Sequence, residues 1–159
     1  MTDFRPVGRR RIGLLRSIKK FFLSPDMYKN LGLLLLRLGI GASMIAFHGY
    51  GKLVGGPETW EQIGSNMRFL GIDMIPMLWG LMAALAEFFG SLLIMFGVLF
   101  RPAALALAFT MAVAVARHLS LPVGSAGAGW SAASHAMELF CVYVALFLIG
   151  PGRYRIPRW

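Results

Sequence analysis

Leu31 to Lys52 reads LGLLLLRLGIGASMIAFHGYGK. Its apolar stretch is long enough to cross a bilayer as a helix, which takes about 20 residues. It carries a single charge, Arg37, before its far end. Three further runs of this kind follow. The second extends from about Met74 to Phe100, the third from Ala103 to Leu121, and the fourth from Ser131 to Ile149. Arg101-Pro102 is expected to make the tight turn between spans two and three, because proline disfavours helix in the residue before it. The Gly-rich stretch Pro122–Gly129 is a loop, and Gly150-Pro151-Gly152 ends the last span. The fold class that follows is all-α: an integral membrane four-helix bundle with short interfacial amphipathic helices.

Composition agrees. Of 159 residues, 57% are hydrophobic, and the mean hydropathy is +0.66, too apolar for a soluble domain of ordinary make-up. The net charge of +9 would suggest nucleic acid in a soluble chain. Here eight of the 16 basic residues precede residue 30 and no aromatic–basic array accompanies them, so nucleic acid is excluded. With the N-terminus in the cytoplasm, Arg101 and the tail residues Arg153, Arg155 and Arg158 also fall inside. Lys52, Arg68 and Arg117 remain outside. The positive-inside rule therefore favours both termini in the cytoplasm. Residues 1–29 form a basic segment. Within it Ile12, Leu15, Ile18 and Phe22 recur at helical spacing, which predicts an interfacial helix. Residues 30–159 form the transmembrane domain. Between spans one and two, Trp60, Ile63, Met67 and Leu70 alternate with charges at helical period, which predicts a short surface helix from Pro57 to Gly71. Trp130, Tyr154 and Trp159 suit headgroup depth.

Charges inside a bilayer are costly and therefore informative, at about 2.5–3.5 kcal/mol on insertion scales. The spans hold Arg37, Glu87 and Glu138, while His48, Lys52, Arg117, His118 and His135 lie near their outer ends. Small residues around Glu87 (Gly80, Ala83, Gly90, Ser91) turn it into the bundle, where Arg37 is its expected partner. His135 and Glu138 are three apart and share a face with Cys141. A compact bundle would gather the outer groups into a polar pocket roofed by Trp60–Leu70. The pocket candidates are Arg37, His48, Lys52, Glu87, Arg117, His118, His135 and Glu138, with no catalytic role assigned and no metal expected. HxxE on one helix is a weak metal motif, and nothing fixes a pair of His for haem. Cys141 is the one cysteine, so neither an intrachain disulfide nor a CxxC pair exists.

Several of these residues carry a resemblance. Arg37-Leu38-Gly39, His48 to Leu53, Ala86-Glu87-Phe88-Phe89-Gly90, Gly97 to Ala104, Glu138 and Gly150 to Tyr154 occur in an order that resembles the DoxX family of small bacterial membrane proteins. The resemblance spans about residues 31–154. It implies a four-helix membrane subunit working with oxidoreductase partners, in quinone-coupled or thiol- and sulfur-linked chemistry. The basic N-terminus and Arg155-Ile156-Pro157 depart from the family pattern. The reading that results is a membrane subunit of a redox system, with quinone as the cofactor its pocket could take. It would have membrane lipid, a redox protein partner and a homo-oligomer as possible associates. A scaffold without its own chemistry and a small transporter are the alternatives.

Overall fold

The computed structural model describes residues 28–156, and all its regular elements there are helices. The interfacial helix expected over Ile12–Leu23 and the position of Trp159 lie outside the described residues. We number the helices α1 (Lys29–Val54), α2 (Gly56–Gly64), α3 (Pro76–Phe96), α4 (Phe100–Ser120) and α5 (Trp130–Ile149). A 3₁₀ segment, Ser65–Leu70, continues α2. Four of them, α1, α3, α4 and α5, are long and apolar enough to span a membrane. At 26 residues α1 is the longest, or about 39 Å at 1.5 Å per residue.

The core is apolar and fine-grained. Ala103, Ala104, Leu107, Ala108 and Met111 of α4 recur at helical spacing and pack with Tyr143 and Leu146 of α5, Ile94 of α3, and Leu33 and Met44 of α1. The alanines let α4 and α5 approach closely, which is how helices associate where lipid offers no hydrophobic drive. Glycine does the same between α2 and α3. A Cβ on Gly64 would sit 1.7 Å from the Pro76 carbonyl oxygen, and one on Gly80 would sit 1.7 Å from that of Trp60. The two helices therefore touch backbone to backbone. The Trp60 indole donates to the Lys52 carbonyl at 2.8 Å, pinning α2 to the end of α1. The short helix expected between spans one and two thus exists as α2 plus its 3₁₀ extension.

The turn between α3 and α4 falls earlier than the sequence suggested. Gly97 (φ 74°) and Leu99 (φ 41°) are left-handed, and α4 already begins at Phe100. Arg101 and Pro102 lie in its first turn, where the missing N–H of proline costs nothing. Gly97 closes α3 with a Schellman motif, Gly97 N–H to Ile94 and Val98 N–H to Leu93.

Candidate functional site

Arg37 does not meet Glu87. It is 1% exposed and, among the described residues, donates only to backbone carbonyls: Nε to Ile94 at 2.8 Å and Nη2 to Met95 at 2.8 Å. Nη1 donates to Pro151 and Tyr154, both at 2.6 Å. The last carbonyls of a helix have no partner within it and carry its negative dipole end. Arg37 answers that end of α3, while the Ile156 N–H takes the Phe96 carbonyl at 3.0 Å. The guanidinium carbon also lies 5.3 Å from the Phe100 ring centroid. Arg37 is therefore a clasp joining α1, the end of α3 and the segment after α5, and it does not line the cavity.

The register of α1 against α3 keeps Arg37 and Glu87 apart. The two helices run antiparallel, with Gly41 beside Ser91 and Met95, and Gly49 beside Glu87. Glu87 is thus level with the far end of α1. There its partner is Lys52, whose Nζ lies 2.6 Å from Glu87 Oε1. The Glu87 side chain is 3% exposed and that of Lys52 30%. Gly49 makes the approach possible, because a Cβ there would meet the Phe88 nitrogen at 2.8 Å.

Both helices depart from α geometry at this level. Ile45–Gly49 of α1 and Ala86–Gly90 of α3 are π-helical turns, carrying His48 and Glu87 respectively. Such turns insert an extra residue and are frequent at functional sites.

The pair forms the floor of a cavity of about 730 Å³, within the range that holds small ligands. Met44, Trp79, Met82, Phe109 and Leu139 supply apolar wall, and Gln62 to Phe69 of α2 and its extension close one side. His48 and His135 both line it, with ring centroids 5.8 Å apart and planes 28° from parallel. Arg117 and His118 of α4 line it too. His118 is tied to the loop that follows: its Nδ1 lies 2.6 Å from the Gly127 carbonyl, and its own carbonyl accepts from Gly129 N–H at 2.8 Å.

Six of the eight residues singled out from the sequence thus meet in one cavity: His48, Lys52, Glu87, Arg117, His118 and His135. Glu138 does not. It is exposed, as is Cys141. The buried stripe of α5 runs through Ala133, Ala136, Tyr143 and Leu146. Glu138 follows Ala136 by two residues, roughly 200° around the helix, so it faces away. Among the described residues no three His, Cys, Asp or Glu side chains gather as a metal site. Sequence reasoning passed over Tyr143 and the hydroxyl of Ser91, both buried and both in the neighbourhood of Glu87. A tyrosine in the apolar second half of α5, Leu139–Ile149, was the available signal, since a buried phenol needs a partner.

Four apolar helices, each able to cross a bilayer, packed around a cavity floored by an ion pair, define a multi-pass membrane protein. The chain belongs to the DoxX family, whose model matches residues 32–119, more than half of the chain and the stretch from α1 through α4. Comparison with curated proteins and with solved structures gives no match.

Proposed function

We propose that this protein is the membrane subunit of a redox system and that its cavity binds a quinone-type ligand: a flat, apolar ring bearing carbonyl oxygens. The observation that carries the reading is a largely apolar cavity with Lys52, His48 and His135 along its polar edge. A quinone needs an apolar slot and donors for its carbonyls. Lys52 offers three N–H donors and uses one on Glu87. The two imidazoles supply further donors or a stacking surface. Met44, Met82 and Trp79 give the ring an adaptable wall.

A bound quinone would supply the capacity to accept two electrons and two protons. Electrons would come from an oxidoreductase partner. The residues of this chain would do the rest. Lys52 would orient one carbonyl and offset charge developing on it. Glu87 would hold Lys52 at that edge of the cavity. The α2 roof would keep bulk water out. On this reading the chain sits in a bacterial inner membrane with both termini in the cytoplasm, as the distribution of basic residues favours.

The test is to purify the protein gently, extract lipid-soluble cofactors, and titrate a short-chain quinone while following Trp79 fluorescence. Wild-type protein is expected to bind, and Lys52→Met to bind about tenfold more weakly, the equivalent of 1.4 kcal/mol. Absence of extractable quinone together with no quenching would defeat the reading. Silent cavity variants alongside a stable co-purifying partner would favour a scaffold instead.

A further inference from the structure

Behind the Lys52–Glu87 pair, three buried polar atoms make no hydrogen bond of good geometry among the described residues: Glu87 Oε2, Ser91 Oγ and Tyr143 Oη. Ser91 is 1% exposed and Tyr143 fully buried. An isolated orphan of this kind would be a packing defect, because a buried polar group without a hydrogen bond is destabilising. These three are grouped. Glu87 and Ser91 are four residues apart on α3, and Tyr143 of α5 packs in the same core, its hydroxyl within hydrogen-bonding reach of Ser91 and within reach of the Glu87 charge.

Two observations narrow what could satisfy them. First, neither Ser91 nor Tyr143 lines the cavity, whereas Glu87 does. A ligand in the cavity therefore leaves the hydroxyls untouched. Second, the surroundings are apolar and tightly packed, with Ile94, Leu107 and Leu146 fully buried alongside Tyr143. Whatever sits there is small, and its hydrogen-bonding capacity must match the three atoms. Glu87 Oε2 only accepts, while the two hydroxyls each have a proton to give. A direct bond between the hydroxyls would still leave Oε2 without a donor. A water molecule solves the problem in one step. It accepts from Tyr143 and Ser91 and donates to Oε2, within the usual two to four partners of an internal water.

We infer that Glu87, Ser91 and Tyr143 enclose a binding site for an internal water molecule on the core side of the ion pair. Glu87 is then held from two directions, by Lys52 at the cavity and by water behind. Lys52 can swing towards a ligand without leaving the carboxylate stripped of every donor.

The test uses wild-type protein freed of lipid-soluble ligand, so its outcome is independent of what the cavity binds. A crystal structure that resolves ordered water is expected to show a peak about 2.6–3.2 Å from all three atoms. In parallel, Ser91→Ala and Tyr143→Phe are each expected to lower the melting temperature. The double variant should lose less than the sum, because both substitutions remove partners of the same water. A well-ordered site with no peak, or with Tyr143 bonded directly to Ser91 and Oε2 unhydrated, overturns the inference. So does either hydroxyl deletion that leaves the melting temperature unchanged or raises it, since removing an unpaired hydroxyl relieves a penalty.

Discussion

Replacing Lys52 with Met tests the central contact. Nζ and Glu87 Oε1 are 2.6 Å apart. At an effective dielectric constant of about 20 the attraction is roughly 6 kcal/mol. Most of that is offset by the cost of withdrawing both ions from water. Removing one partner of a fully buried pair costs about 3–5 kcal/mol, because the other is left stranded. Lys52 is 30% exposed towards the cavity, so the lower end applies, and we expect a loss of about 3 kcal/mol. At about 2–4 °C per kcal/mol for a chain of this size, the melting temperature should fall by roughly 6–12 °C. The measurement is thermal unfolding in detergent, followed by size-exclusion recovery. Lys52→Met/Glu87→Met should regain at least half of the loss, since an apolar pair of similar volume leaves no stranded charge. A single variant that melts within a degree of wild type, or a double variant showing the plain sum of two losses, would refute the reasoning.

Other outcomes follow from the same geometry. Arg37→Lys keeps the charge but not the fork that reaches four carbonyls. It should cost about 2–3 kcal/mol, read by the same unfolding assay. Gly80→Ala drives a methyl into the Trp60 backbone. It should prise α2 from α3 and make the 3₁₀ segment and the loop after it, residues 65–75, sensitive to protease in folded protein. Leu99→Gly removes a left-handed leucine that is 67% exposed. It should raise stability by about 0.5–1 kcal/mol in thermal unfolding, as relief of αL strain outweighs the added chain entropy.

The four spans were legible because bilayer thickness turns hydropathy into length: every run found from composition reappears as a helix within a few residues. The gathering of His48, Lys52, Glu87, Arg117, His118 and His135 was legible in part for a related reason: five of them lie near the outer ends of their spans, and the small neighbours of Glu87 turn it inward to meet them. Pairing was a different matter. Matching Glu87 with Arg37 assumed that two buried charges in neighbouring helices must meet. The sliding register of α1 along α3 decides that, and hydropathy carries no register. The true partners of Arg37 are main-chain oxygens, which leave no trace in side-chain identity. Glu138 was drawn inward by its spacing from His135, although the buried stripe of α5 is narrower than that pair. Pro102 marked the right neighbourhood for a turn but stands just inside the helix that follows it.

The clasp around Arg37 also has a consequence in time. Two of its four acceptors lie 114 and 117 residues further along the chain. While the protein is being synthesised, the first hydrophobic segment must enter the bilayer long before those oxygens exist. Until the ribosome has passed Tyr154, the guanidinium has to borrow phosphate or solvent from the membrane surface. Half of the clasp is therefore missing while the first three spans are made, and it is the backbone just beyond the fourth that completes it.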